Sequence, residues 1–270
     1  MGEQIPAERR QAILQAIRRM HFVRSDDLAS ELQVSIETVR RDLVALEHQG
    51  VVHRVHGGAQ LVPGRSSEPQ VHERRLRNRD AKQAIAAVAV GLLENAETVV
   101  FDVGTTVLEV VRQLGRDFRG RVLTPSLPVA QELDGHPGVE VIVSGGQMRP
   151  GDMALYGSEA ERFFSNFYVE KAILGSGGVH PDSGLTDYYP AEVAMRRIIL
   201  EHAAECYVLA DASKIGHVAL SKVCDLQRLT GLITDSRADP VTVEQIEASG
   251  LTVMIADMTK GVHDREDEVG

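Results

Sequence analysis

Ser35-Ile-Glu-Thr-Val-Arg-Arg-Asp-Leu-Val-Ala-Leu-Glu-His-Gln49 decides how the first part of this chain is read. Ile36, Val39, Leu43 and Leu46 recur at helical spacing on one face. Thr38, Arg40, Arg41 and Asp42 fall off that stripe. Ser35 is placed to cap the helix, its hydroxyl oxygen accepting from an otherwise orphan backbone N–H. Gly50 stands where a helix stops. A helix that is apolar behind and carries Ser, Thr and Arg in front has the form of one that reads DNA. Its front side chains reach base edges while its first amides face phosphate.

The flanks extend this pattern in both directions. Upstream, Ser25-Asp-Asp-Leu-Ala-Ser-Glu-Leu32 predicts a short helix with Ser25 as its cap and acids in the first turn. Gln33-Val34 forms the turn between the two helices, and Pro6 to Met20 predicts a longer helix with Ile13, Leu14 and Ile17 inward. Downstream, Val51-Val-His-Arg-Val55 alternates and meets His56-Gly-Gly58, which predicts a small hairpin. Helix, helix, turn, helix and hairpin compose a winged helix-turn-helix. Ser35, Thr38, Arg40 and Arg41, with Arg54 and His56 on the wing, are the candidate DNA-binding residues. His53 and His56 are better suited to phosphate contact or solvent than to a metal.

The run Val34-Ser-x-x-Thr-Val-Arg-Arg-Asp-Leu43, with Leu46, Gly50, Arg54 and His56-Gly-Gly-Ala59, resembles the N-terminal domain of DeoR/GlpR-type bacterial transcription regulators. That resemblance implies binding to double-stranded operator DNA.

Length and charge set the frame for the rest. A chain of 270 residues suggests two domains, and 43% hydrophobic content is enough for both to bury a core. The formal net charge is −10. Residues 1–60 carry eight basic and eight acidic residues, so the remainder holds all of that excess. A neutral reading domain implies modest affinity per copy, because phosphate contact supplies most non-specific binding. Two copies on one operator offset this, so a homo-oligomer, dimer or tetramer, is expected. No apolar run is long enough to span a membrane, and the start shows no signal-peptide pattern, so a cytoplasmic protein is expected. Cys206 and Cys224 lack metal spacing and read as thiols in a reducing compartment; no metal and no cofactor are expected.

Pro63-Gly-Arg-Ser-Ser-Glu-Pro69 reads as a connection between domains. The expected division is 1–58 for the winged helix-turn-helix, 59–76 for the linker and 77–270 for a sensor and oligomerisation domain. Arg74, Arg75, Arg77, Arg79 and Lys82 follow, mixed with Glu73 and Asp80. They suit either a segment that brushes phosphates or the solvated start of the next helix, and the second is favoured.

From Lys82 onward helices and strands alternate. Strands are expected at Thr98–Phe101, Val122–Leu123, Val139–Val143, Ala172–Leu174, Cys206–Ala210, Leu232–Thr234 and Leu251–Ile255. This is the pattern of an α/β domain with a mostly parallel sheet covered on both faces. Ligands of such sheets sit at the carboxyl ends of the strands. The loops there are rich in Gly, hydroxyls and charge: Asp102-Val-Gly-Thr-Thr106, Thr124-Pro-Ser-Leu127, Ser144-Gly-Gly146 followed by Arg149, Gly175-Ser-Gly-Gly178 and Asp211-Ala-Ser-Lys214. Gly104 lets the backbone approach a ligand, and Thr105 and Thr106 offer amides and hydroxyls to an anion at a helix start.

The order of these loops also resembles the C-terminal sensor domain of the same regulators, so the resemblance covers nearly the whole chain. It implies a fold related to ribose-5-phosphate isomerase and a phosphorylated sugar or related metabolite as effector. It further implies that Gly104, Thr105, Thr106 and Lys214 hold the phosphate, and that Asp102, Ser126, Gly145 and Arg149 serve the rest of the ligand. Thr124-Pro-Ser stands where the family more usually has Thr-Asn-Ser, which removes one side-chain amide.

Two functions of different class are weighed. Aldose–ketose isomerisation needs a carboxylate as general base near the sugar carbon. The related isomerase has an acid-rich loop where this chain has Gly175-Ser-Gly-Gly-Val179, which holds no acid. A transcription regulator, most simply a repressor of a carbohydrate-metabolism operon with no catalytic residue, is therefore preferred to an isomerase-like enzyme. Asp182, Asp187 and Glu192 lie close in sequence to that loop. Glu192, Arg196 and Arg197 have the spacing of a helix-surface ion pair, and Tyr188-Tyr189 suits a ligand cover or a subunit contact.

Overall fold

The structure is a computed structural model and describes residues 6–20, 22–48, 52–55, 57–61 and 68–258. The chain parts into two units, Met1–Gly64 and Arg65–Gly270.

In the first unit the helices are α1 (Pro6–Met20), α2 (Ser25–Glu31) and α3 (Ile36–His48), and the strands are β1 (Phe22–Arg24), β2 (Val52–Val55) and β3 (Gly58–Leu61). The strands form an antiparallel sheet in the order β1-β3-β2. Val39, Leu43 and Leu46 of α3 are buried against Ile13 and Ile17 of α1, Leu28 of α2 and Val52 of β2. Each such side chain contributes about 1.5–3 kcal/mol by burial.

Two local expectations are corrected here. Ile36, assigned to the buried stripe, is 43% exposed, because the first residue of α3 lies ahead of the point where the stripe meets the core. Ser25 does not cap α2 but begins it, and its N–H donates to the Gly57 carbonyl at 2.9 Å, tying α2 to the hairpin turn. The hairpin runs past the expected boundary at 58, through β3 to Leu61. The last part of the segment expected as linker is helical: α4 (Val71–Leu76) lies in the second unit.

The second unit continues with α5 (Arg79–Val90), β4 (Glu97–Phe101), α6 (Thr105–Arg112), β5 (Gly120–Thr124), α7 (Leu127–Glu132), β6 (Val139–Val143), β7 (Gln147–Arg149) and β8 (Ala154–Tyr156). Then come α8 (Ser158–Phe164), β9 (Val169–Leu174), β10 (Gly178–His180), β11 (Gly184–Asp187), α9 (Pro190–His202), β12 (Ala203–Leu209), β13 (Ser221–Cys224), β14 (Gly231–Asp235), α10 (Pro240–Ala248) and β15 (Thr252–Ala256). Seven strands make one sheet, β15-β14-β12-β9-β4-β5-β6, paired in parallel throughout.

Strand alternation sends neighbouring residues to opposite faces. Val99, Phe101, Val122, Ile173, Leu209 and Ile233 pack with Ile85 and Ala89 of α5, Val107 of α6 and Val129 of α7. Val100, Leu123, Ala172, Leu174, Val208 and Leu232 pack on the other side with Phe164 of α8, Val193 and Ile199 of α9 and Ile246 of α10. Two small antiparallel pieces, β10-β11-β13 and β7-β8, were not foreseen. Their strands of three or four residues are too short for alternation to register.

The sheet order positions the site. From β4 the chain moves outward to β5 and β6, then returns to β9 on the other side of β4 and moves away through β12, β14 and β15. The direction reverses between β4 and β9. A crevice opens at such a switch point, beyond the carboxyl ends of the two strands.

Candidate functional site

Two candidate surfaces follow, one in each unit. On α3, Ser35 caps the helix as expected: its Oγ accepts from the Thr38 N–H at 3.1 Å, and the two hydroxyls lie 2.8 Å apart. Arg40 and Arg41 are exposed, and Arg40 Nη1 lies 3.8 Å from Glu37 Oε2 in open solvent. Such a contact is worth little. Asp42 behaves differently from its sequence neighbours. It is buried and accepts from Arg9 Nε and, at 3.0 Å, from Arg10 Nε, which locks α3 to α1. Arg54 lies on β2, with its side chain outside the described ones, and His56 lies outside the described residues.

In the second unit a cleft of about 350 Å³, open to solvent, lies at the switch point. Its floor is the loop after β4 and the loop after β9. Gly104 has φ +149°, a conformation that disfavours any side chain. It precedes α6, so the first amides of that helix face the cleft with Thr105 and Thr106. A Cβ on Gly175 would stand 2.4 Å from the Val103 carbonyl oxygen, so glycine there lets the two loops touch. The Gly175 N–H also donates to Asp102 Oδ2 at 3.1 Å.

Charged side chains build the walls. Arg196 of α9, 3% exposed, donates through Nε to Asp102 Oδ2 at 2.7 Å and through Nη1 to Asp187 Oδ2. Burial opposes the charge on Arg196, but Asp102, Asp187 and Glu192 outweigh it and hold the guanidinium above its ordinary range. Arg149 donates to Glu192 Oε1 at 2.6 Å, pairs with Asp152 Oδ2 at 2.6 Å and lies 3.8 Å over the ring of Tyr189. Arg74 pairs with Glu68 Oε1 at 2.9 Å and with Asp152 Oδ1, and donates to the Pro69 carbonyl at 3.0 Å. Lys214 donates to the Ser176 carbonyl from a 3₁₀ turn that Asp211 caps through the Ser213 N–H at 3.0 Å. Burial would raise the Asp211 carboxyl, but Lys214 and Ser213 outweigh it and hold it below its ordinary range.

One buried amine fixes the approach to this wall. The Lys82 Nζ donates to the carbonyls of Arg74 and, at 2.6 Å, Arg77, satisfying the last turn of α4. Burial, with Lys214 and Arg74 nearby, lowers its amine to about 8.

Of the expected ligand residues, Gly104, Thr105, Thr106, Arg149 and Lys214 line this cleft together. Asp102 lies beneath it, fully buried; its Oδ2 accepts from Arg196 and the Gly175 N–H, and its Oδ1 has no hydrogen-bond partner among the described residues. Ser126 lines a smaller adjoining hollow with Gly104 and Thr105, and its Oγ caps α7 by accepting from the Val129 N–H at 3.3 Å. Gly145 is exposed in the loop between β6 and β7 and does not reach the cleft.

Glu68, Arg74, Asp187, Glu192 and Arg196 also line the cleft, and none was placed there from sequence. Glu192 and Arg196 were read as a helix-surface pair, but both are buried. Their i,i+4 spacing is the same on either face of a helix, so spacing alone could not tell. Arg74 was read as solvated, but its side chain is only 12% exposed. The mixed charges of 68–82 conceal that the Arg74 side chain is largely covered. Tyr188 is buried and meets His217 Nε2 at 3.1 Å, while Tyr189 supports Arg149. Among the described residues no cluster of His, Cys, Asp or Glu is arranged to hold a metal, and no helix is long and apolar enough to cross a membrane.

With both surfaces described, known proteins supply the comparison. Residues 9–63 match the DeoR-like helix-turn-helix domain, and residues 77–236 match the DeoR C terminal sensor domain. The chain belongs to the DeoR family of helix-turn-helix transcriptional regulators. It is 34% identical over 250 residues to the HTH-type transcriptional regulator GlpR of Haloferax volcanii, covering 93% of this chain and 98% of that one. It is 30% identical over 239 residues to the glycerol-3-phosphate regulon repressor of Escherichia coli K12, covering 88% and 94%. Among solved structures, ribose 5-phosphate isomerase A of Methanocaldococcus jannaschii aligns with 51% of this chain and 54% of its own, at 18% identity and a TM-score of 0.38.

Proposed function

We propose that this DeoR-family member represses a carbohydrate-metabolism operon and is released from its operator by a phosphorylated sugar or polyol. Residues Met1–Gly64 read the operator, and Arg65–Gly270 sense the effector. The observation that carries this reading is the cleft at the switch point, where the start of α6 and Lys214 face one small space. Helix-start amides, hydroxyls and an ammonium are the donors a phosphate monoester takes. The carboxylates and guanidiniums around them suit the hydroxyls of the rest of the ligand. The E. coli relative is named for a glycerol-3-phosphate regulon, which supports a phosphorylated metabolite as the effector class.

Binding without turnover is favoured for a chemical reason. The cleft-lining carboxylates of Asp187 and Glu192 are engaged by Arg196 and Arg149, and Glu68 is engaged by Arg74. A carboxylate held by a guanidinium is a poor general base. On DNA, Thr38, Arg40 and Arg41 with Ser35 form the reading front, flanked by the wing residues Arg54 and His56. Exposed Ile36 adds an apolar contact suited to a thymine methyl. A homo-oligomer, dimer or tetramer, in the cytoplasm would present two such fronts to a repeated operator. The effector then needs only about 1–3 kcal/mol of coupling to change occupancy.

Paired substitutions test the division of labour. Arg41→Ala is expected to weaken operator binding about tenfold, to lower the salt slope by about 1, and to leave effector binding intact. Lys214→Ala is expected to weaken phosphorylated ligands about tenfold and to leave operator binding intact. Fluorescence anisotropy on the DNA upstream of the gene and calorimetry with a panel of sugar phosphates measure the two. The reading fails if Lys214→Ala binds every phosphorylated candidate as tightly as the parent does.

A further inference from the structure

A site for a dianion should carry an excess of positive charge, and this cleft does not. Its cations are Arg74, Arg149, Arg196 and Lys214. The acids that meet them are Glu68, Asp102, Asp152, Asp187 and Glu192. Counted with every group ionised, five acids against four bases leave the described cluster one formal negative charge in excess, and adding the neighbouring pair Lys82 and Asp211 does not change the difference; burial opposes that charge by raising the carboxyls of Glu68, Asp102 and Glu192. A phosphate monoester brings about −1.5 to −2 more. Like charges confined in a partly buried space repel, so phosphate entry is favoured where one carboxylate leaves or loses its charge.

The acids differ in how firmly they are held. Asp102 accepts from Arg196 and the Gly175 N–H. Asp187 accepts from Arg196 and the Tyr188 N–H. Asp152 bridges Arg74 and Arg149, and Glu192 pairs with Arg149 and approaches Arg196 at 4.0 Å. Glu68 has one ion-pair partner among the described residues, Arg74. Its side chain is 9% exposed, it lines the cleft beside Gly104–Thr106 and Lys214, and burial raises its carboxyl although Arg74 and Lys214 oppose the shift. If Glu68 leaves, Arg74 keeps Asp152 and gains an unsatisfied Nη1 facing the cleft.

We propose that the Glu68 carboxylate is a built-in occupant of the anion position and that a phosphorylated effector binds by displacing it from Arg74. This rests on the reading of the cleft as a phosphate site. It goes further by naming the residue that competes with the effector and the part of the chain that moves. Glu68 is the fourth residue after Gly64, where the first unit ends, so the displaced residues are those that lead in sequence to the reading unit.

The experiment uses the full chain and inorganic phosphate as probe, by calorimetry near neutral pH, with parent, Glu68→Gln and Lys214→Ala. Glu68→Gln keeps the shape and removes the charge, so it is expected to bind phosphate about tenfold more tightly than the parent, because the competing state is depopulated. Hydrogen exchange on the parent gives a second reading that needs no variant to fold. Saturating phosphate should quicken exchange in the peptide spanning 68–77, whereas binding beside a resident Glu68 would slow it. The inference is overturned, with the site reading intact, if Lys214→Ala weakens phosphate while Glu68→Gln leaves it unchanged or weaker and exchange in 68–77 slows. If Lys214→Ala and parent bind phosphate alike, the site reading falls and this inference falls with it.

Discussion

The two units handle positive charge in opposite ways. On α3, Arg40 and Arg41 stand in solvent, and Glu37 lies 3.8 Å from Arg40. In the sensor cleft, Arg74, Arg149 and Arg196 are each engaged by at least two carboxylates or carbonyls. On the proposed function, the difference reflects what each surface waits for. DNA supplies its own dense line of phosphates and releases counterions, so exposed guanidiniums need no partner beforehand. A cleft walled by buried side chains must remain folded when empty, and a buried cation without a partner is costly, so its charges are neutralised from within. Asp42 marks where the first unit adopts the second one's method. Itself buried, it engages buried Arg9 and partly exposed Arg10 of α1.

The contrast is sharpened most by removing a cleft cation. Arg196→Met leaves Asp102, Asp187 and Glu192 short of their shared partner, and a loss of about 3–5 kcal/mol is expected in urea unfolding of the second unit. Arg196→Lys should recover less than half of it, because an ammonium does not reproduce the fork that bridges two carboxylates. A loss below about 1 kcal/mol for the Met variant would break the claim that this network holds the empty cleft together.

A smaller effect is expected at the interior clamp of the first unit. Asp42→Asn should cost about 2 kcal/mol, part of it discounted because Arg10 is partly exposed. Arg40→Ala, which touches no interior partner, serves as the control and should leave unfolding unchanged. Equal losses for the two would erase the distinction between clamp and reading front. The smallest effect belongs to the cap. Ser35→Ala should lower stability by about 1 kcal/mol, read by thermal melting of residues 1–64 within the full chain.

The reading helix was legible because its determinants are local. A cap, a stripe and a stop within sixteen residues are enough to place Arg40 and Arg41 outside and Leu43 inside. The loop Asp102–Thr106 was legible for the same reason, since a strand followed by Gly and a hydroxyl pair marks a turn into a helix start, where backbone amides lack intrahelical partners. The burial of Asp102 and its pairing with Arg196 were not legible. An acid beside a ligand loop looks the same whether it faces the ligand or supports an arginine from below, and Arg196 is 94 residues away.

What the amino-acid order determined by itself was the presence of two units and the parallel α/β class, carried by short-range periodicity and spacing, and the resemblance to the family, carried by its motifs. What only the tertiary structure decided was which charges share the cleft. Glu68 and Arg74 come from before the sheet, Arg149 and Asp152 from the β7–β8 hairpin, and Glu192 and Arg196 from one face of α9. Electrostatic partnership depends on distance and burial, and neither is written in the spacing of residues far apart along a chain.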